Sequence, residues 1–420
     1  MKNKMNSKII KYIFLLFLFF IYICIYIPNK ILKNIIYNEE ESTYFTTWAT
    51  ANEKLIDPPF DLSHNAIRQI VKVSAGGEKI RIKFSNILGE SNIEIKQVSI
   101  ADLISENEID KKTMKFLTFN NGEEGAIIEA GKEIYSDTIF YPLKDLSYIA
   151  ISIYFGSVPN KLTGHLLSLT FSYFEKGNKI KKNIFTNNKK KAHWYIITSI
   201  EISSNPPKKT IVCFGDSITD GVSQTFDARN NYPDILSKKL HENPETSNFA
   251  VINEGINGNR LITQGIKRFK HDVLDIKGIS YLILLFGVND IKGLDSKAEE
   301  IISVYNQIIE EAHNKNILVY GGTILPFALY LNGKAWNENR EKERQKLNKW
   351  IRKTNAKNGG FDAFFDFDKE LKEPKDEIKL KKEYDCGDGI HPNLEGYTKI
   401  VECITKDLKL FTNKKEYKLF

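Results

Sequence analysis

Phe214-Gly215-Asp216-Ser217-Ile218-Thr219-Asp220-Gly221 is the segment that decides the fold of the second half of this chain. It follows an apolar run at 210–213, which predicts a short buried strand, and it precedes a helical pattern that begins near Tyr232. A serine in such a turn lies at the carboxyl end of a strand, where open α/β sheets place their chemistry. The two glycines allow a sharp turn and leave room for a substrate.

Apolar stretches alternate with amphipathic ones from residue 210 onwards. Strands are predicted at 211–214, 249–253, 281–286, 317–321 and 363–367. Helices are predicted at 296–314, 337–355 and 394–408. Because strands and helices alternate, the pattern indicates an α/β domain whose parallel sheet is covered by helices on both faces.

The preceding part of the chain has a different period. Apolar and polar residues alternate along 66–73, 79–84, 93–98, 148–154 and 195–202. Turn residues separate these runs, so they favour an antiparallel β-sandwich-like domain over βαβ units. The segment Asn205-Pro206-Pro207-Lys208-Lys209 interrupts the pattern. We therefore predict a β-rich domain over 42–205 and a second domain over 206–420, consistent with a chain of 420 residues.

The first 41 residues have the character of a leader. Four lysines precede an uncharged, glycine-free run of sixteen residues from Tyr12 to Ile27. As a helix this run would be about 24 Å long, slightly short of the roughly 30 Å hydrocarbon core. No small-residue cleavage site follows it. We predict an uncleaved signal anchor in preference to a cleaved signal peptide, with the remainder of the chain outside the cytoplasm, secreted or anchored to the membrane.

Composition excludes several classes of function. The net charge of +7 reflects 60 basic and 53 acidic residues dispersed along the chain, so nothing favours nucleic acid as a partner. Cys24 lies in the leader and Cys213 in a predicted core strand, which excludes a dense disulfide framework. A bridge between Cys386 and Cys403 and two free thiols both remain open. No Cys/His spacing is typical of a zinc site.

Three side chains point to nucleophilic catalysis. A serine needs a base to take its proton, and the base needs a carboxylate to hold its tautomer. Ser217 supplies the hydroxyl, and Asp388-Gly389-Ile390-His391 supplies a carboxylate and an imidazole within one short loop. The pattern predicts Ser217 as the nucleophile, His391 as the base and Asp388 as the residue that orients it. Alone, Ser217 would be equally typical of a helix N-cap.

Acyl transfer also needs donors for the oxyanion that develops in the transition state. Two further segments follow predicted strands, at 251–260 and 286–290. From these we predict an oxyanion hole made of the backbone N–H groups of Ser217 and Gly258 and the side-chain amide of Asn289.

These four segments resemble the four blocks of the SGNH, or GDSL-type, hydrolase superfamily, in the family's order. The blocks read Gly215-Asp216-Ser217, Gly258, Gly287-x-Asn289-Asp290 and Asp388-x-x-His391, with Ile218 where the family name has Leu. The resemblance implies a flavodoxin-like three-layer α/β/α fold without a metal or an organic cofactor. It also implies the roles given above for Ser217, His391, Asp388, Gly258 and Asn289.

Longer segments are similar to one secreted branch of the superfamily, the xylanase-E-like esterases. They include Asn253-Glu254-Gly255-Ile256-x-Gly258-Asn259-Arg260, Arg268-Phe269 with Asp272-Val273-Leu274, and His391-Pro392-Asn393. This resemblance implies an exported esterase whose substrate is a polysaccharide or small-molecule acyl ester. Among substrates, acetyl groups on polysaccharide rank first and lipid esters second. The alternative from another functional class is a non-catalytic carbohydrate-binding surface protein. A phosphatase that uses Asp216 ranks last, because the sequence lacks metal ligands and phosphate-loop glycines for it.

Several other residues have open or structural interpretations. Asp216 and Asp290 are predicted to hold turns. Arg260 either anchors a substrate carboxylate or sugar, or forms a salt bridge to an acid such as Asp220. The histidines other than His391 are predicted to be at the surface or packed, and Trp336 is the tryptophan best suited to stack on a sugar ring.

Overall fold

The computed structural model describes residues 43–56, 58 and 61–412. The predicted leader over 1–41, with Cys24, lies outside the described residues. Within the described part, no helix combines the length and the apolar character needed to cross a membrane.

Antiparallel strands make up the described chain as far as Ser203. Their bounds are β1 (Tyr44–Ala49), β2 (Glu53–Ile56), β3 (Asn65–Lys72), β4 (Gly77–Ser85), β5 (Ile93–Ser105), β6 (Glu108–Ile109), β7 (Lys115–Leu117), β8 (Ala126–Ile128), β9 (Glu133–Tyr135), β10 (Ile139–Leu143), β11 (Tyr148–Phe155), β12 (Lys161–His165), β13 (Ser172–Lys176), β14 (Lys190–Lys191), β15 (Trp194–Tyr195) and β16 (Ile197–Ser203). One sheet has the order β1-β16-β4-β10, a second β14-β13-β3-β11-β5-β6, and a third β15-β12-β2.

Alternation along these strands separates core from solvent. In β4, Ile80, Ile82 and Phe84 are fully buried, and the residues between them are half-buried. Their side chains meet apolar side chains from β3, β5 and β11 in one hydrophobic cluster. The period-two pattern therefore predicted the faces correctly, because successive side chains of a strand point to opposite sides of the sheet. The antiparallel, sandwich-like architecture is confirmed.

The second part of the chain alternates strands with helices. Its strands are β17 (Lys209–Gly215), β18 (Phe249–Gly255), β19 (Ile279–Leu285), β20 (Leu318–Gly322), β21 (Ala363–Phe365), β22 (Lys372–Glu373) and β23 (Asp376–Leu380). Its α-helices are α1 (Ser217–Asp220), α2 (Tyr232–His241), α3 (Ile266–Phe269), α4 (Val288–Leu294), α5 (Ala298–His313), α6 (Glu338–Lys353), α7 (Phe367–Leu371), α8 (Leu394–Thr405) and α9 (Lys409–Thr412). Single π-helical turns at Leu261–Gly265 and Lys270–Leu274 flank α3, and 3₁₀ turns lie at Tyr330–Gly333 and Ala356–Asn358.

Five of these strands form one parallel sheet in the order β18-β17-β19-β20-β21. This is the flavodoxin-like order, in which the chain reverses direction across the sheet on either side of the first strand. Helices α2, α7 and α8 pack together, as do α4, α5 and α6, so the sheet lies between two helical layers. The predicted α/β/α fold is confirmed, and its switch point lies at the carboxyl end of β17, directly before Ser217.

Two predicted strands differ from the structure. The predicted strand at 195–202 is divided between β15 and β16, because Ile196 adopts a positive φ of 52° that an extended strand does not permit. The predicted strand at 363–367 ends at Phe365, since the Asp366 side chain accepts a hydrogen bond from the Lys369 N–H and caps α7.

The two parts of the chain are in direct contact. The Thr210 hydroxyl donates to the Thr46 carbonyl oxygen over 2.9 Å, and Ser74 and Ser237 share a buried hydroxyl–hydroxyl hydrogen bond of 2.7 Å. Strand β16 ends at Ser203 and β17 begins at Lys209, on either side of the proline-containing segment. Division into domains at 205/206 stays a prediction.

Candidate active site

Ser217 is the first residue of α1, immediately beyond the sheet. The Asp216 carboxylate accepts a hydrogen bond from the Ile218 N–H over 3.1 Å and so caps this short helix. Gly215 must be glycine, because a Cβ there would lie 1.9 Å from the Thr219 hydroxyl oxygen. The Ser217 side chain is thereby presented at the carboxyl edge of the sheet with only 4% of the residue's surface exposed.

The structure brings the three predicted catalytic side chains together. His391 Nε2 lies 2.9 Å from Ser217 Oγ, and His391 Nδ1 lies 2.5 Å from Asp388 Oδ2. The other carboxylate oxygen of Asp388 accepts hydrogen bonds from the N–H groups of Ile390 and His391. With Nδ1–H donating to Asp388, the imidazole presents Nε2 as an acceptor for the serine proton. The hydroxyl, imidazole and carboxylate form one continuous relay.

Two carboxylates at this site have opposite pKa shifts. Burial alone would raise the pKa of Asp388, but hydrogen bonds from the side chain and backbone of His391 lower it below its usual range. Asp216 is fully enclosed, and burial raises its pKa to about 7 even though the Ile218 N–H and the charge of Lys292 oppose the shift. Asp388 is therefore an anion at neutral pH and can stabilise an imidazolium, whereas Asp216 titrates near neutrality.

The predicted oxyanion donors lie on α1, on the loop after β18 and on α4. Gly258 has a φ of +75°, and no heavy atom lies within 4 Å of the position that a Cβ would occupy. Asn289, on α4, is buried and donates one amide hydrogen to the Asn259 carbonyl oxygen over 2.9 Å. Its second amide hydrogen has no acceptor among the described residues, and the same is true of the N–H groups of Ser217 and Gly258.

Asp290 fixes the relative position of these loops. Its two carboxylate oxygens accept hydrogen bonds from the N–H groups of Leu261 and Ile262, over 2.9 and 3.0 Å. The carboxylate thus joins α4 to the loop that contains Gly258. This agrees with the predicted role of Asp290 in holding a turn.

Arg268 does not belong to the four predicted blocks, yet it joins three segments of the site. Its guanidinium donates to the carbonyl oxygens of Gly215 and Glu254 and to the side-chain oxygen of Asn259, each over 2.9 Å. Asp272, one helical turn away, neutralises it at 2.7 Å. The pairing of an arginine and an aspartate four residues apart was the available signal in the sequence.

Of the two alternatives for Arg260, the salt bridge to Asp220 is not observed. Asp220 Oδ1 lies 3.0 Å from His165 Nε2, so this carboxylate faces the β-rich part of the chain. Its other oxygen accepts a hydrogen bond from the Asn257 N–H over 2.7 Å. Arg260 lies elsewhere, beside Gly293 of α4, where a Cβ would meet the guanidinium at 3.1 Å. His165 is packed, as predicted, and its hydrogen bond to Asp220 connects it to the helix that begins with Ser217.

The remaining candidates have structural explanations. Trp336 is half-buried and packs against the core of the parallel-sheet part, and its stacking on a sugar ring stays a prediction. Cys386 and Cys403 are free thiols.

Ligand atoms of Asp385, Cys386 and Asp388 lie within 4.8 Å of one another, but both carboxylates already accept hydrogen bonds within their own loop. This cluster is explained by the shape of the loop without a metal ion.

A family model describes the part of the chain that holds this geometry. Residues 213–399 match the GDSL-like Lipase/Acylhydrolase family. No curated protein gives a significant match.

Solved structures give similar matches to roughly half of the chain. A GDSL-like lipase from Bacteroides thetaiotaomicron is 21% identical over 48% of this chain and 89% of its own, with a TM-score of 0.38. A G-D-S-L family lipolytic protein from Veillonella parvula is 17% identical over 48% and 98%, with a TM-score of 0.36. The acetyl xylan esterase AlAXEase is 22% identical over 47% and 98%, with a TM-score of 0.37. Residues 213–399, which contain Ser217, Asn289 and His391, therefore form a domain of the SGNH, or GDSL-type, hydrolase superfamily, whose members hydrolyse esters.

Proposed function

We propose that this protein is an exported serine esterase that hydrolyses carboxylic esters through an acyl-enzyme. The observation that carries the proposal is the relay of hydrogen bonds from Ser217 Oγ through His391 to Asp388, over 2.9 and 2.5 Å. Membership of a family of acylhydrolases supports the reaction class.

The first half of the reaction acylates the enzyme. Ser217 Oγ attacks the ester carbonyl carbon while its proton passes to His391 Nε2, and Asp388 stabilises the resulting imidazolium. The N–H groups of Ser217 and Gly258 and the amide of Asn289 bind the oxyanion. When the tetrahedral intermediate collapses, the bond to the alcohol oxygen breaks and His391 returns the proton to the departing alcohol.

The second half restores the free enzyme. A water molecule gives a proton to His391 Nε2 as its oxygen attacks the acyl carbon, and the same donors bind the second oxyanion. Collapse of that intermediate breaks the bond to Ser217 Oγ, which regains the proton from His391. The products are a carboxylic acid and an alcohol, and no oxidant, reductant or second substrate is required.

For the physiological substrate we propose acetyl or other short acyl groups on a polysaccharide. This rests on the resemblance of the segments around Asn253–Arg260 and His391–Asn393 to xylanase-E-like esterases. Export rests on the lysine-flanked apolar run that ends at Ile27. If it is correct, protease added to intact cells that express the full chain should degrade the catalytic domain, whereas a cytoplasmic control protein should survive.

An exposed apolar rim favours lipid esters as a second candidate substrate. Leu329 and Leu331 are 47% and 58% exposed. Leu329 also packs against the loop of the relay, since a Cβ on Gly389 would lie 2.5 Å from its side chain. An acyl chain of several carbons could lie against these two leucines. Kinetics with p-nitrophenyl esters of increasing chain length separate the two candidates, because kcat/KM peaks at acetate for the first and at longer chains for the second.

The decisive experiment is Ser217→Ala, assayed with p-nitrophenyl acetate. We expect activity to fall to the level of the uncatalysed reaction while circular dichroism remains that of the wild type. Ser247→Ala, whose hydroxyl only donates to the Pro244 carbonyl oxygen, is the matched control and should retain full activity. Unchanged turnover in Ser217→Ala would refute the mechanism, and failure of an active-site serine probe to label the wild type would favour a non-catalytic binding protein.

A further inference from the structure

Helix α4 carries a lysine on the same face as a predicted oxyanion donor. Asn289 and Lys292 are three residues apart, so their side chains project from neighbouring positions on one face of the helix. Asn289 is anchored to the Asn259 carbonyl oxygen. The Lys292 side chain therefore leaves the helix about one turn after the predicted oxyanion donor Asn289.

The aromatic ring of Tyr330 connects this lysine to the catalytic base. Lys292 Nζ lies 4.7 Å from the centre of the Tyr330 ring, and that ring meets the His391 imidazole edge to face with centres 6.1 Å apart. Lys292 is half-buried, and among the described residues its ammonium has neither a hydrogen-bond acceptor nor a carboxylate partner. Burial lowers its pKa, and the charges of Asp216 and Asp388 oppose that shift.

A second cation, Arg260, lies close to the same turn of the helix and acts on Lys292 electrostatically. Arg260 directly follows Asn259, and its guanidinium approaches Gly293, where a Cβ would meet it at 3.1 Å. Within the described chain its side chain has no hydrogen-bond acceptor or carboxylate partner, although its backbone N–H donates to Gln264. A third cation, Arg340, also acts electrostatically on Lys292. Its Nε lies 2.7 Å from Asp295 Oδ1, so it already has a counter-ion.

The carboxylates nearest these two cations are engaged with other groups. Asp388 is bonded to His391, and Asp216 is enclosed and bonded to the turn amide of Ile218. Asp290 feels the charge of Arg260, but its two oxygens accept from the N–H groups of Leu261 and Ile262. A half-buried ammonium without a counter-ion is unfavourable, and an anion from outside the chain would relieve that cost. Arginine and lysine are also the side chains that proteins use to recognise carboxylate, sulfate and phosphate groups.

We propose that Lys292 and Arg260 form an anion subsite that binds a negatively charged substituent of the ester substrate beside the scissile bond. The inference rests on the proposed esterase function and adds to it the class of substrate, an ester that carries a carboxylate, sulfate or phosphate group. An acylated acidic oligosaccharide satisfies this description, and an uncharged acetylated sugar does not.

The kinetic test uses three aryl acetates that differ in charge. These are methyl 4-acetoxybenzoate, which is neutral, 4-acetoxybenzoate and 4-acetoxyphenyl sulfate. The measured quantity is the ratio of kcat/KM for each anionic ester to that for the neutral ester, compared between variants so that intrinsic reactivity cancels. We expect Lys292→Met and Arg260→Met each to lower the ratio about tenfold or more, as for the loss of a hydrogen bond to a charged group.

Three controls sharpen this test. Lys292→Arg retains the charge and should preserve most of the selectivity. Lys357→Met removes an exposed lysine from a distant 3₁₀ turn and should leave the ratio unchanged. Salt at 0.5 M should lower the ratio in the wild type, because it screens the attraction. Wild-type ratios in both Lys292→Met and Arg260→Met would overturn the proposal, and a carboxylate effect without a sulfate effect, or the reverse, would identify the preferred anion.

A binding measurement separates this inference from the esterase proposal. The Ser217→Ala variant is titrated with 4-acetamidobenzoate and with its neutral methyl ester, neither of which requires turnover. Tighter binding of the anion that Lys292→Met abolishes in this background supports the subsite, even if the wild type hydrolyses none of the esters. Equal binding of both compounds refutes the subsite, even if Ser217 proves to be the nucleophile.

Discussion

His165 Nε2, at the end of strand β12, lies 3.0 Å from Asp220 Oδ1, at the end of the helix that begins with Ser217. The second oxygen of Asp220 accepts a hydrogen bond from the Asn257 N–H, one residue before Gly258. His165 Nδ1 is bonded in turn to the Ala51 carbonyl oxygen. A buried chain of hydrogen bonds therefore runs from the β-rich part of the molecule to the loop of the predicted oxyanion hole.

Replacing His165 should consequently affect both stability and catalysis. His165→Ala leaves Asp220 buried without its cationic partner, and we expect the free energy of unfolding to fall by about 3–5 kcal/mol. The Asn257–Gly258 loop loses a fixed acceptor, so we expect kcat to fall about 10- to 100-fold with a smaller change in KM. Urea unfolding and initial-rate kinetics, normalised by active-site titration, measure the two effects.

Two further histidine variants distinguish positioning from general destabilisation. His165→Gln keeps a neutral donor for Asp220 and should recover part of kcat. His193→Ala removes a more exposed histidine bonded to the Leu166 carbonyl oxygen and should change neither quantity appreciably. If His165→Ala lost stability but kept the wild-type kcat per folded molecule, the connection to the oxyanion loop would have no catalytic importance.

The same pair predicts a pH dependence of stability. Burial opposes the charge on His165, but the carboxylates of Asp220 and Glu53 raise its pKa from 6.5 to about 9. The folded state therefore holds this proton more tightly than the unfolded chain does, and the stabilisation is complete below pH 6.5 and lost as the pH rises through about 9. We expect the stability difference between the wild type and His165→Gln to shrink from pH 6 to pH 10, as measured by urea unfolding. A constant difference would mean that His165 is neutral throughout.

The contribution of Asp388 can be isolated by a matched pair of aspartates in one loop. Asp388→Asn preserves size but disturbs the imidazole tautomer and removes the charge that stabilises the imidazolium, so we expect kcat to fall about 10³- to 10⁴-fold. Asp385→Asn keeps an oxygen that can accept from the N–H groups of Gly387 and Gly389, so we expect a much smaller loss. Single-turnover kinetics with a p-nitrophenyl ester make the comparison, and equal losses would show that loop geometry alone matters.

Local sequence patterns predicted the fold, and they named the three side chains that the structure brings together. The apolar strand before Ser217 and the Asp388–His391 loop are signals carried by a few adjacent residues, and the parallel-sheet order brings them to one edge. Alternation along β4 predicted its buried face for the same local reason, whereas β11 is buried on both faces despite its alternating sequence. The break at Ile196 was not predictable, because nothing in its side chain favours a positive φ and tertiary packing imposes it.

Contacts between distant segments were the main failure. His165 and Asp220 are 55 positions apart and no motif surrounds the histidine, so from the sequence only Arg260 was named as a possible partner of Asp220. Only the docking of β12 against α1 decides between them. Likewise, Lys292 and Tyr330 became candidates for the site once folding had placed one beside Asn289 and the other beside His391.

Two glycines of the site should respond differently to the same substitution. Gly215→Ala places a Cβ 1.9 Å from the Thr219 hydroxyl oxygen and 2.8 Å from the Leu285 carbonyl oxygen, so we expect displacement of α1 and loss of activity. Gly258→Ala meets open space and carries only the strain of its φ of +75°, about 1–2 kcal/mol, while its N–H is retained. Thermal unfolding and kcat measure the contrast, and full activity in Gly215→Ala would contradict the close approach of strand and helix.

Asp216 offers a variant that should make the protein more stable at alkaline pH. Burial raises the pKa of Asp216 from 3.8 to about 7, so the folded state favours the protonated acid, whereas the unfolded chain ionises near pH 4. Its ionisation therefore destabilises the fold progressively as the pH rises from about 4 to 7. Asp216→Asn keeps an oxygen to accept from the Ile218 N–H but has no charge to bury. We expect the stability of this variant, relative to the wild type, to be greater at pH 8 than at pH 4.5. Urea unfolding of both proteins at pH 4.5 and pH 8 tests this. If the variant's stability relative to the wild type is equal at the two pH values, or greater at pH 4.5, the Asp216 carboxylate is ionised in the folded protein without an energetic cost.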